Sequence, residues 1–210
     1  MNKAWIALTA LALTACTSEP RYYGPPPPEQ PYAQRPYAER PVPPPRPGPY
    51  APPPVTSAGP LKMAAVSAYM DGQENELRAR LRGQGVIVAR RGDEIVLNIP
   101  NAALFESGAD LSGGGAGILQ TLAITERHYD HTAMQVSGYT DTTGAPDKNL
   151  DISQRRAKAV AGALASYGVP GNRIAAQGFG ETNPRIKTGE NVNEPRNRRI
   201  EIHITATPVG

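Results

Sequence analysis

The sequence predicts an α/β fold, an α+β sandwich in which helices cover a small mixed sheet, preceded by a disordered proline-rich linker. Three observations predict it. Seventeen of the 23 prolines fall between Pro20 and Pro60, and a stretch that poor in backbone donors holds neither helix nor sheet. Beyond it, apolar residues recur with the 3.6-residue period of helices in some segments and crowd into short strand-like runs in others. These two kinds of segment alternate along residues 61–210, an order that builds layered α/β structures. About 150 residues bury about 70% of their unfolded surface, so the domain needs no disulfide or metal to stay folded.

The chain opens with Met1-Asn2-Lys3, a short positive start, followed by a twelve-residue apolar run from Ala4 to Ala15. Twelve residues are too few to span a bilayer, and the pattern predicts a signal peptide over residues 1–15. The run ends in Leu13-Thr14-Ala15-Cys16, which resembles the lipobox of bacterial lipoproteins. That resemblance implies cleavage before Cys16 and acylation of Cys16 by palmitate-type chains. Cys16 is the single cysteine of the chain, so it has no internal disulfide to make. Two or more acyl chains anchor stably where one does not, at ~0.8 kcal/mol per buried methylene. By the sorting rule for such lipoproteins, Thr17 in place of an aspartate implies the outer membrane. The competing reading is an ordinary secretory signal followed by an incidental cysteine.

Residues 16–60 form the expected lipidated cysteine and linker. Pro25-Pro26-Pro27-Pro28, Pro43-Pro44-Pro45 and Pro52-Pro53-Pro54 favour a polyproline-II rod, with Tyr22, Tyr23, Tyr32, Tyr37 and Tyr50 set between them. At ~3.1 Å per residue, residues 17–60 reach on the order of 135 Å when fully extended. Such a length suits a tether between a membrane and a layer some distance from it. A docking site for a proline-binding module is the alternative, although the tyrosines and arginines keep no fixed register.

The folded part begins with residues 61–94, read as a helix and first strand leading into the domain at residues 95–210. Residues 62–82 predict an amphipathic helix, with Met63, Val66, Met70, Leu77 and Leu81 on one side and Glu74, Glu76, Arg78, Arg80 and Arg82 on the other. Gly83 and Gly85 end it. Residues 86–90 and 94–99 predict two strands joined at Arg91-Gly92-Asp93 as a hairpin. A helix through Ile118, Leu119, Leu122, Ala123 and His128 follows, with Ser112 as its candidate cap. The glycines of residues 113–117 lower helix propensity by up to ~1 kcal/mol each and leave its start open. A strand at 132–139, a strong helix at 149–167 closed by Gly168, and strands at 174–178 and 199–205 complete the series.

Over residues 61–210 the sequence holds 17 Lys+Arg against 16 Asp+Glu. The basic pI of the whole chain is therefore no argument for nucleic acid, and no aromatic platform or basic stripe supports one.

The chemistry concentrates in Gly138-Tyr139-Thr140-Asp141-Thr142-Thr143-Gly144 and in the helix that runs from Asn149 through Ser153, Arg156 and Ala157 to Val160 and Leu164. Asn149 and Arg156 lie almost two helical turns apart and share one face. Asp141 stands in the preceding loop, which Gly144 allows to turn back. An acid, an amide and an arginine then converge on one mouth, suited to a ligand end bearing both an ammonium and a carboxylate.

These residues resemble the OmpA-like peptidoglycan-binding family, whose pattern joins a Gly-x-Thr-Asp-x-x-Gly loop to an Asn-x-x-Leu-Ser-x-x-Arg-Ala-x-x-Val-x-x-x-Leu helix. The resemblance spans about residues 95–204 and includes Phe105, the Gln177-Gly178-Phe179-Gly180-Glu181 segment and the Asn197-Arg198-Arg199-Ile200-Glu201 ending. Ile152 replaces the usual leucine, a volume-conserving change. The resemblance implies that Asp141 binds the ammonium of diaminopimelate in the peptide stem and Arg156 its carboxylate. It implies supporting hydrogen bonds from Thr143 and Asn149, and places Arg198 near the site, on ligand or on fold. The bland alternative is a purely structural salt bridge between Asp141 and Arg156.

Two other candidates are weaker. Gly113-Gly114-Gly115-Ala116-Gly117 lacks the feeding strand and full spacing of a phosphate loop, and His128 and His131 lack a third metal ligand. The sequence thus predicts no cofactor and no enzyme, since no activated nucleophile or carboxylate pair is apparent. It predicts a noncatalytic lipoprotein of the outer membrane, its domain facing the periplasm, with peptidoglycan and the membrane as partners. An envelope protein whose wall binding competes with a periplasmic protein partner remains the alternative.

Overall fold

The computed structural model describes residues 61–62 and 65–207. The expected signal peptide, Cys16 and the linker lie outside the described residues. Seven strands and four helices follow in the order α1 (Val66–Arg80), β1 (Ile87–Arg91), β2 (Glu94–Pro100), α2 (Asn101–Leu104), β3 (Phe105–Ser107), β4 (Asp110–Leu111), α3 (Gly113–His128), β5 (Thr132–Tyr139), α4 (Pro146–Ser166), β6 (Ile174–Gly178) and β7 (Arg199–Ala206). Five strands make one sheet in the order β1-β2-β7-β5-β6, and β3 pairs with β4 as a separate small hairpin. β5 and β6 are parallel, and the remaining pairs of the sheet are antiparallel. The expected small mixed sheet covered by helices is what forms.

The mixture follows from the connections. A tight turn joins β1 to β2, whereas parallel β5 and β6 need a long crossover, which α4 supplies. Alternate residues of the strands face the helices. Ile95, Leu97 and Ile99 of β2, Met134 and Val136 of β5, and Ile200, Ile202 and Ile204 of β7 join Met70 and Leu77 of α1, Leu119 and Leu122 of α3, and Val160 and Leu164 of α4 in one buried core. β1 therefore belongs to the same sheet, and α1 to the same core, as the segment that follows them. Each Leu or Ile in that core contributes about 1.5–3 kcal/mol by burial.

The element boundaries differ from expectation in three places. α1 runs over Val66–Arg80 within the expected 62–82, and Met63 lies outside the described residues. α4 begins at Pro146, three residues before Asn149, because Pro146 is preset for the first helical turn and Asp147 favours the positive end of the helix. The stretch between β2 and α3 holds the short α2 and the β3–β4 hairpin.

Ser112 does cap α3: its hydroxyl accepts from the N–H of Gly115 at 2.9 Å. One glycine at this start, Gly115, is required by packing. A Cβ on Gly115 would stand 2.2 Å from the carbonyl oxygen of Leu104. That close approach seats the start of α3 against α2.

Candidate functional site

The site forms where β5 ends and α4 begins, and two facing glycines let α4 lie close on the sheet there. Gly138 of β5 pairs with Gly178 of β6. A Cβ on Gly138 would lie 2.4 Å from the backbone oxygen of Ser153, and one on Gly178 would lie 2.2 Å from the backbone nitrogen of Gln154. Only glycine lets the α4 backbone settle this closely on the sheet. Gln154 then accepts from the N–H of Gly178 at 2.8 Å, and Ser153 accepts from the N–H of Gly180 at 2.9 Å. These contacts fix α4, and with it Asn149 and Arg156, relative to the loop carrying Asp141.

Asp141 is buried, 5% exposed. Its Oδ1 accepts from the N–H of Thr143 at 3.3 Å, and its Oδ2 accepts from the N–H of Glu194 at 3.2 Å and from the guanidinium of Arg198. Arg198 also donates to Asn193. The ion pair of Asp141 is thus with Arg198, and the structural salt bridge weighed for Asp141 and Arg156 does not form.

Arg156 is held otherwise. Its Nε donates to the carbonyl of Gly108, at the tip of the β3–β4 hairpin, at 2.6 Å. The guanidinium carbon lies 5.6 Å from the ring centroid of Phe105, within range of a cation–π attraction. Burial lowers the pKa of Arg156 from its ordinary value; the nearby Arg198 acts in the same direction and Asp141 opposes both. Arg156, Arg198 and Asp141 therefore share one electrostatic neighbourhood, in which Arg156 is bonded to no carboxylate among the described residues.

Asn149 is buried, and its Nδ2 donates to the carbonyl of Asp141 at 3.3 Å and to Glu181 Oε2 at 2.7 Å. Thr143 is exposed, and its backbone rather than its hydroxyl braces Asp141. The five predicted residues of the domain thus divide: Asp141, Thr143, Asn149 and Arg198 are joined by hydrogen bonds, and Arg156 of α4 is bonded instead to the β3–β4 hairpin.

Sequence reasoning missed Glu181, Asn193, Glu194 and the hairpin carbonyl of Gly108. Glu194 enters through its main chain, which no side-chain pattern signals, and Gly108 is brought over by the pairing of β3 with β4. The long segment between β6 and β7 is pinned on the site by Thr142, whose hydroxyl donates to Gly189 O at 2.8 Å and accepts from the N–H of Val192 at 3.0 Å. Asn197, fully buried, closes the same segment by bonding both N–H and C=O of Ile186.

The arrangement is charged on both sides. It sets a carboxylate and an amide on one side and a guanidinium over an aromatic ring on the other. The histidines weighed as metal ligands lie elsewhere, His128 3.3 Å from Glu76 and His131 3.6 Å from Asp130. No cluster of three or more potential metal ligands occurs among the described residues.

Residues 107–198 match the sequence profile of the OmpA family. The protein named Probable lipoprotein YiaD, from Escherichia coli (strain K12), is 45% identical over 141 residues, which cover 67% of this chain and 64% of that one. The Peptidoglycan-binding protein ArfA of Mycobacterium bovis is 35% identical over 100 residues, 48% of this chain and 31% of its own. The chain thus spans less than two thirds of either relative. Among solved structures, the cell wall anchor of the T6SS from Pseudomonas aeruginosa superposes with a TM-score of 0.55 at 27% identity, covering 64% of this chain and 96% of that one. The periplasmic domain of Helicobacter pylori MotB superposes with a TM-score of 0.52 at 24% identity, covering 60% and 82%, and speaks for the fold alone. The loop-and-helix pattern, the mixed sheet crossed by α4 and these matches agree: the chain carries an OmpA family domain.

Proposed function

We propose that this chain is a noncatalytic lipoprotein that tethers the outer membrane to the cell wall. Its domain binds peptidoglycan by taking the diaminopimelate end of a stem peptide between Asp141 and Arg156, and the acylated Cys16 holds it to the membrane. The observation that carries this reading is that Arg156 makes no ion pair with a carboxylate among the described residues. It is tied to a main-chain carbonyl and an aromatic ring while Asp141 is claimed by Arg198. A half-buried guanidinium so placed gains most from an incoming anion, because charge-assisted bidentate bonds to carboxylates are the strong ones. Support also comes from the relatives: ArfA is named for peptidoglycan binding, and the Pseudomonas structure is described as a cell wall anchor.

A diaminopimelate side chain ends in an ammonium and a carboxylate, whereas a lysine stem ends in the ammonium alone. With a lysine stem Arg156 would be left partly desolvated and without its anion, a loss of roughly 2–5 kcal/mol. Calorimetry of the protein with muropeptides of both types is expected to show a preference of more than tenfold for diaminopimelate. Arg156→Ala should remove most of that preference and most of the affinity. Equal affinity of the unaltered protein for both stems would overturn the proposed role of Arg156.

A further inference from the structure

We infer that Glu181 is a positioning residue of this site: it locks the side-chain amide of Asn149 so that Asn149 offers the ligand an oxygen acceptor. The inference rests on the reading that a cationic and anionic stem terminus enters between Asp141 and Arg156.

An asparagine amide has two faces of opposite chemistry, and its neighbours decide which one is presented. Both neighbours of Asn149 Nδ2 are acceptors only, the carboxylate of Glu181 at 2.7 Å and the carbonyl of Asp141 at 3.3 Å. Turning the amide over would set its oxygen against two other oxygens. Both hydrogens of Nδ2 are thereby committed, while Oδ1 accepts from none of the described residues.

Glu181 is well placed to impose that choice. It makes no ion pair among the described residues, so its bond to Asn149 is a charge-assisted one with no cation to compete for it. Its own position is rigid, because Gly180 just before it is held on both sides. The N–H of Gly180 donates to Ser153 of α4 at 2.9 Å, and its carbonyl accepts from the N–H of Thr140 at 2.8 Å. Glu181 thus hangs from a joint between α4 and the end of β5.

The free oxygen of Asn149 answers a need that Asp141 leaves. Oδ2 of Asp141 already takes Glu194 and Arg198, and Oδ1 takes Thr143. With three bonds accepted, the carboxylate has room for one further donor, whereas an ammonium brings three hydrogens. A second acceptor at the cationic end is required, and Asn149 Oδ1 supplies it only while Glu181 keeps the amide turned.

The test compares Glu181→Ala, Glu181→Gln, Asn149→Ala and the Glu181→Ala/Asn149→Ala double variant of the full chain, each checked for an unchanged thermal midpoint. Calorimetry uses the diaminopimelate muropeptide. Glu181→Ala is expected to weaken binding three- to tenfold, and Glu181→Gln to recover most of the loss, since its amide oxygen still accepts from Nδ2. In the Asn149→Ala background, Glu181→Ala should change nothing further. A Glu181→Ala variant that binds as the parent does, or a full additional loss in the Asn149→Ala background, would overturn the inference. A second measurement needs no ligand. In nitrogen-15 spectra the Asn149 amide hydrogen facing Glu181 should shift and exchange faster in Glu181→Ala, and an unchanged signal would refute the lock whether or not the wall fragment binds. A parent protein that fails to bind the muropeptide while the amide signal behaves as expected would overturn the proposed ligand and leave the lock established.

Discussion

Arg198 donates to the buried carboxylate of Asp141, so the acid that the family pattern assigns to the ligand is held by a residue 57 positions further along the chain. The same carboxylate takes two main-chain N–H groups, one from its own loop and one from the segment that leads into β7. Asp141 is therefore the knot that ties the two loops of the site together, and in the function proposed above it is also the anion that meets the ammonium of the ligand.

Removing Arg198 should expose that double role. Arg198→Ala leaves a buried carboxylate with main-chain donors alone, a loss of roughly 1–3 kcal/mol after allowing for the partial exposure of the arginine. Urea unfolding should report the loss, and Arg198→Lys should recover part of it. Because Arg198 also depresses Arg156, binding of diaminopimelate muropeptide is expected to fall in Arg198→Ala through the loosened loop despite the relief of that repulsion.

The approach of α4 to the sheet makes a sharp contrast among glycines. Gly138→Ala and Gly178→Ala would each put a Cβ within 2.4 Å of the α4 backbone, and each should destabilise the domain by roughly 3 kcal/mol or more, since a backbone cannot swing aside as a side chain can. Gly162→Ala, in α4 with nothing within 4 Å of the added Cβ, should instead stabilise by about 0.5–1 kcal/mol. Thermal midpoints of the three variants check this directly.

A pH dependence is built in at the opposite end of the sheet. Glu126 is fully buried and accepts from Gln73 of α1 at 2.8 Å and from Thr132 of β5 at 3.1 Å, with Arg173 at 3.5 Å. Burial pushes its pKa up to about 7, against the opposing pull of Arg173. A folded pKa above the unfolded one means a contribution that is complete below about 4.5 and lost as pH rises through about 7, at most about 3 kcal/mol. Stability should therefore decline from pH 5 to pH 8. His203, whose pKa is raised by its bond to Glu201, adds to the same decline, so Glu126→Gln should flatten the profile in part and not abolish it. Denaturation midpoints across that range, for parent and variant, measure both.

The sequence also predicts an acylated start. Cys16→Ala should block lipidation and lipoprotein-type cleavage, and the intact mass of the protein from the membrane fraction checks it. A mature protein without acyl mass would exclude the lipid anchor.

The sequence by itself determined the fold class and most of the elements, because hydrophobic period, prolines and capping residues act locally. β2, β5, β6 and β7 stand within a residue of their expected limits, and Ser112 caps the helix that its position announced. It also brought Asp141, Asn149 and Arg156 under suspicion, since their spacing on one loop and one helix is a local fact. Tertiary structure alone decided who holds whom. Asp141 pairs with Arg198 and not with Arg156, Arg156 rests on the Gly108 carbonyl, and Glu181 fixes Asn149. Those partners are separated by 32 to 57 positions along the chain. They meet because β5 and β7 pair side by side, the β3–β4 hairpin reaches back over α4, and two facing glycines let α4 lie on the sheet. Long-range pairing of this kind leaves no period in the sequence, because which side chains meet is settled only when the sheet closes.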